Sequence, residues 1–250
     1  MVHVLGYPGE RQAGDVDQEI DMRLLQAFLF IADDLEAPAL DCYASGVFLG
    51  HNRRMPRTPA VFEAKKKWRL GCEAPDNHSE EWVKNYKTAE ENIKTVKAKV
   101  TEDRKEKRMI LMSYAQAKSI YGDRLHIGAI GMVDEGGNKF RLIHDGTHKI
   151  LVNNRIRPRD LVAAPSIQDI ATEMSEIQDT KSSHIALVWD FKSAHRIVAV
   201  NKSDWGLQAC SLVAANKPRL VDTDEVVLNT VGTLGIASAG YWWDGWLRRS

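Results

Sequence analysis

The first residue whose setting suggests chemistry is Asp190, which closes a short apolar run, Ile185-Ala186-Leu187-Val188-Trp189. That run has the length and the β-branched and aromatic content of a buried strand. A carboxylate at the end of such a strand is costly to desolvate unless something binds it, and a cation is the simplest partner. The other reading is a cap for the turn that begins at Phe191. His195 follows, then a second apolar alternation through Ile197, Ala199 and Val200. A second carboxylate stands in His144-Asp145-Gly146-Thr147. With Asp190 and Glu173 or Glu176 it would make an acidic set able to hold two metal ions. Arg53, Arg54 and Arg57, followed by Lys65, Lys66, Lys67, Trp68 and Arg69, combine cations with a ring. That combination suits single-stranded nucleic acid, whose phosphates pair and whose bases stack. A solvated loop with Trp68 tucked into the core is the plainer alternative.

The elements that must hold these residues alternate in type. Asp21 to Leu35 reads as a helix with an apolar stripe of Leu24, Leu25, Phe28, Leu29 and Ala32, ended by Ala37-Pro38. Asn77 or Ser79 is expected to cap a long, solvated helix carrying Trp82, Tyr86, Ile93, Val96 and Val100. Ser113, with Gln116 at the capping-box spacing, opens a shorter helix that runs to Tyr121 and stops at Gly122. Leu125 to Val133 and Phe140 to His144 read as strands joined by the loop Asp134 to Asn138. Ser166 caps a helix to Ile177. Strands are expected from Asp204 through Cys210 to Val213, and again from Leu220 to Thr230. A small-residue turn, Val231 to Gly240, then enters an aromatic helix with Trp242, Trp243 and Trp246 as core.

Composition bounds the function. The chain has 250 residues, with Lys and Arg balancing Asp and Glu at 34 each. Acids from Glu10 to Asp41 outweigh Arg11 and Arg23, whereas Arg53 to Arg108 is basic in balance. Cys42, Cys72 and Cys210 have no metal-ligand spacing, which fits a reducing compartment. The N-terminus lacks a signal-peptide pattern, and the run Leu24 to Ala32 is too short to span a bilayer. An intracellular protein with no membrane partner is expected.

Three blocks, in order, resemble a reverse transcriptase of retrotransposon or retroviral type. The first, KFRLIHD (Lys139 to Asp145), is similar to the fingers strand whose arginine grips the incoming triphosphate. Arg141 takes that position, Asp145 stands at the aspartate, Asp134 occupies the place of a companion lysine, and Lys139 is the nearest substitute. The second, DFKSAH (Asp190 to His195), resembles polymerase motif A. The resemblance makes Asp190 the catalytic, metal-binding aspartate, sets Phe191 beside the nucleotide, and puts His195 where a ring screens the sugar. The third, TLGIASAGYWW (Thr233 to Trp243), is similar to motif B. Gly235 would lie against the nucleotide, and Ser238 and Ala239 against template and primer.

The resemblance implies an α/β (α+β) chain: fingers and partial palm at 123–250, with a mostly antiparallel sheet packed by helices, and a helical, charge-rich N-terminal region at 1–122. It also implies Mg2+ or Mn2+, deoxynucleotide triphosphates, an RNA or DNA template with primer, and the remainder of a polyprotein. The family's Tyr-x-Asp-Asp motif does not occur in these residues. The chain is therefore expected to be truncated and not to polymerise unaided. Asp145-Gly146-Thr147 after a strand also resembles the first acid of a ribonuclease H-like nuclease, which with Asp190 and Glu173 or Glu176 is the alternative among enzymes; a nucleic-acid-binding remnant without catalysis is the alternative outside enzymes.

Overall fold

The computed structural model describes residues 15–16, 21–34, 37–56, 63–64, 79–137, 139–158, 160–161, 166–179, 193–213 and 216–247. In chain order the elements are α1 (Met22–Ile31), α2 (Leu40–Ala44), β1 (Glu63–Ala64), α3 (Lys87–Glu91), α4 (Ile93–Lys105), β2 (Met109–Ser113), α5 (Tyr114–Tyr121), β3 (Ile127–Gly128), β4 (Ile130–Gly136), β5 (Lys139–His144), β6 (Asp160–Leu161), α6 (Ile167–Asp179), β7 (Ala209–Ser211), β8 (Glu225–Asn229) and α7 (Ala239–Leu247). The chain is a mixed α/β protein. Its stretch 185–192, with Asp190 and Phe191, lies outside the described residues, as do Arg57, Lys65 to Arg69, Cys72, Asn77 and the Trp246 side chain.

The central sheet has the order β2-β8-β7-β3. β8 pairs antiparallel with β2 and with β7, while β3 and β7 run parallel, Ile127 opposite Ala209. β4 and β5 form a separate hairpin, from Ile130 opposite His144 to Gly136 opposite Lys139. Gly136 and Gly137 make its turn, with φ of 84° and 59°. The described pairs are thus mostly antiparallel.

Several expected elements differ. The apolar run Leu125 to Val133 is divided between two sheets, because buried Ala129 separates β3 from β4 and its carbonyl accepts from Asp145 N at 2.9 Å. The stretch Lys202 to Gln208 is a 3-10 helix, not a strand. Asn201 starts it by accepting from Ser203 N, the local side-chain bonding that competes with a ladder. β7 ends at Ser211, and β8 begins at Glu225 because Asp224 folds back on Val221.

The helices follow the same logic. Asp21, expected as the first residue of the helix, is its N-cap instead, Phe28 is 47 % exposed, and the buried face is Met22, Gln26 and Ala27. Gln26 donates to Ala37 O at 3.1 Å, and Arg23 is held by Asp15 and Asp41, which together fix the helix's rotation. Helix α1 ends at Ile31, earlier than Ala37-Pro38 would end it. The long helix expected from Asn77 or Ser79 begins only at Lys87. Before it, Val83 N donates to Ile127 O and Tyr86 N to Ile130 O, so tertiary pairing draws this stretch into an extended edge. By contrast, Ser113 and Gln116 form a full capping box, and Gly122 stops α5 with φ of 52°. Ser166 and Asp169 start α6 as read, although Ile167, Ile170 and Met174 on it are exposed.

The core crosses residue 122. Leu40, Tyr43, Val47 and Leu49 pack with Ile150, Val152, Ile156, Trp242 and Trp243. Tyr43 donates to Trp242 O at 2.8 Å, and Trp242 Nε1 to Phe48 O at 2.8 Å, so both aromatic donors are satisfied inside. β2 from the N-terminal region completes the sheet through β8.

Candidate functional site

A cleft of about 480 Å³ opens between α4, β5, the turn at 193–196 and the segment after β8. Arg141, His195, Thr233 and Leu234 all line it, so residues of the three blocks share one wall. The elements that achieve this are the β4–β5 hairpin, a 3-10 turn at Ala194–Arg196, and the backbone leading to α7.

Arg141 lies in β5 opposite Val133. Its guanidinium is half exposed and paired with Glu135 across the hairpin. Lys139 sits at the hairpin end opposite Gly136, exposed, and is not part of the cleft wall. His195 sits in the 3-10 turn that begins after Ser193, whose φ of 58° turns the chain sharply. Its Nδ1 is buried and has no hydrogen-bond partner among the described residues. Gly232 packs directly on this turn: a Cβ there would lie 2.6 Å from His195 O.

Arg196, beside it, anchors the cleft floor. Its Nη1 donates to Asn229 Oδ1 at 2.7 Å, and its Nη2 to Asp103 Oδ2 at 2.8 Å. Asp103 also accepts from Arg108 Nε at 2.7 Å. Burial lowers the pKa of the Arg196 guanidinium, and Asp103 works in the opposite direction. A buried charge of this kind needs its partner. Cys210, also in the wall, is buried, which pushes its thiol up to about 12 and leaves it un-ionised.

Gly235 has φ of 102°, and a Cβ on it would lie 1.8 Å from His144 O. Only glycine combines that conformation with that approach. Leu234 O accepts from His144 N at 3.1 Å, which fastens the turn to β5. Asn153 completes the attachment by donating to Gly235 O at 2.6 Å and accepting from Ala237 N at 2.8 Å. Ser238 and Ala239, beyond the turn, are both buried and present no side chain to solvent.

Asp145 is engaged locally. It accepts from Thr147 N at 2.8 Å, from His148 N at 3.0 Å and from the Tyr86 hydroxyl. Burial alone would raise its pKa, but these hydrogen bonds hold the carboxyl below the usual range. Glu173 and Glu176 lie on the exposed face of α6. Among the described residues no group of three or more His, Cys, Asp or Glu is placed to hold a metal ion. Asp190, the expected cation ligand, lies outside those residues. Among the described residues no helix is long and apolar enough to cross a membrane.

Sequence reasoning missed Asp103, Arg196 and Asn229. Asp103 hides in a run of charges that reads as solvated surface. Arg196 carried a signal in retrospect, being a charge set directly before the apolar alternation at Ile197 and Ala199. No family model matches the chain, and no curated protein matches it.

Proposed function

We propose that this chain supplies the fingers and part of the palm of a retroelement reverse transcriptase, which adds deoxynucleotides to a primer on an RNA or DNA template as part of a longer polyprotein. The observation that carries this reading is the shared cleft, in which Arg141, His195 and the Thr233-Leu234 backbone meet although their blocks are far apart in sequence.

The cleft's own groups suit a nucleoside triphosphate. Arg141 exchanges Glu135 for phosphate oxygens, which a guanidinium binds in a fixed fork. His195 stands beside the sugar, on a turn that Arg196 and Gly232 hold in place. The Gly235 turn, fastened to β5, holds Thr233 and Leu234 in the cleft against the nucleotide. Magnesium or manganese at Asp190 would neutralise the triphosphate and activate the primer hydroxyl.

Equilibrium dialysis with a radiolabelled deoxynucleoside triphosphate and magnesium tests the reading. Saturable binding is expected, weakened at least about tenfold in Arg141→Ala, the loss of one charge-assisted bidentate contact. It is also expected to lose its magnesium dependence in Asp190→Asn. Binding that ignores both substitutions, or no binding, would contradict it.

A further inference from the structure

Two arginine-bearing segments far apart in the sequence meet on the surface beside the Gly235 turn. His51 bridges Ile156 in antiparallel sense, and Asn52 N donates to Arg155 O at 3.0 Å. Arg53 and Arg54 continue one segment and are exposed. Arg155 and Arg157 flank Ile156 on the other. Ile156 is buried, whereas Arg155 and Arg157 beside it are both partly exposed.

None of these four arginines forms an ion pair with a carboxylate among the described residues. Arg23, Arg108, Arg124, Arg141 and Arg196 each have one. Neighbouring acids are already engaged: Asp204 by Arg124, and Glu81 by Lys118. The excess charge is felt below the surface. Burial first, and Arg155 and Arg124 among the nearby cations, lower the pKa of both His51 and His126. An aromatic face is also present, with the Arg53 guanidinium 4.0 Å from the centre of the Phe48 ring.

We propose that Arg53, Arg54, Arg155 and Arg157, with Phe48, form a phosphate-tracking face for single-stranded nucleic acid. Four arginines without a carboxylate partner among the described residues offer their charge to a polyanion, and binding releases its counterions. The Arg–Phe stack gives an unpaired base a π-surface, which a duplex cannot use. The face leads towards the cleft. Asn153, two residues before Arg155, holds the Gly235 turn, and Pro56 O accepts from the Tyr241 hydroxyl of α7 at 2.6 Å. Binding of a strand stands on the patch alone; only the strand's arrival at the cleft rests on the polymerase reading.

Fluorescence anisotropy tests this with labelled oligo(dT), oligo(U) and a duplex, titrated with the full chain across a salt series. The expected result is tighter binding of one or both single strands than of duplex. The quadruple arginine-to-alanine variant is expected to bind at least about tenfold more weakly at low salt. Its salt slope is expected to be shallower by about 3, since each lost phosphate contact on a single strand removes about 0.7. The exposed pair Arg53→Glu with Arg54→Glu checks the same loss without touching the buried neighbourhood of Arg155. A control set, Lys84, Lys94, Lys97 and Lys105 to alanine, removes equal charge from other exposed positions and is expected to change affinity less than about twofold. Unchanged binding in the arginine variants, equal loss in the control, preference for duplex, or no binding by the wild type at low salt would each overturn the proposal. Arg141→Ala separates the two readings: it is expected to weaken triphosphate binding and leave oligonucleotide affinity unchanged.

Discussion

Arg196 Nη2 lies 2.8 Å from Asp103 Oδ2, joining the turn that carries His195 to the last turns of α4. Both side chains are mostly buried, at 15 % and 18 % exposure. Removing one member of such a pair leaves the other charge without compensation. Asp103→Ala is therefore expected to destabilise the fold by about 3 kcal/mol, read as a shift in urea midpoint at constant slope. A double-mutant cycle with Arg196→Met is expected to give a coupling energy clearly above that of an exposed pair. A cycle showing no coupling would mean that the pair does not hold this turn.

The second prediction concerns Gly235. Its φ of 102° is strained for any L side chain, and a Cβ would sit 1.8 Å from His144 O. Gly235→Ala must push the turn off β5 and break the hydrogen bonds that Leu234 and Asn153 make to it. A loss of at least about 3 kcal/mol is expected. Gly240→Ala, where a Cβ meets nothing within 4 Å, serves as the tolerant comparison. Equal tolerance at both sites would contradict the described turn.

Acid sensitivity is the third. His144 is buried, neither ring nitrogen has a partner among the described residues, and burial lowers its pKa to about 4. His51 is lowered to about 4 as well, by burial and by His126, Arg124 and Arg155. In the unfolded chain both titrate near 6.5. Between those values the unfolded state binds more protons, so stability is full above about pH 6.5 and falls as pH drops towards 4. Each group is worth roughly 3 kcal/mol across that window. Urea melts from pH 7.5 to 4.5 should show this slope, and His144→Leu should flatten part of it. A level profile would show that the two rings are not held neutral.

What the sequence made legible was mainly local. The Ser113–Gln116 capping box and the stop at Gly122 depend on neighbours within a few residues, and both are present. The small-residue turn before the aromatic helix was legible as one that allows a ligand or another backbone close approach, and at Gly235 the neighbour is the backbone of His144. The start of the α3–α4 region was not. Trp82, Val83 and Tyr86 have helical spacing, yet their backbones follow Ile127 and Ile130, and no local pattern announces that pairing. The division of Leu125 to Val133 was hidden for the same reason, since one apolar run can serve two sheets. Of the residues that line the cleft, Arg141 and His195 were named by the family resemblance alone, whereas Asp103 and Asn229 join them only through the fold.

Photoaffinity labelling with an azido-deoxynucleoside triphosphate in magnesium, followed by peptide mapping, tests the central claim most directly. The account predicts label on peptides containing Arg141 and His195, displaced by unmodified deoxynucleoside triphosphate and reduced in Arg141→Ala. Label confined to other surfaces, or label on the cleft that neither competitor nor substitution reduces, would contradict it.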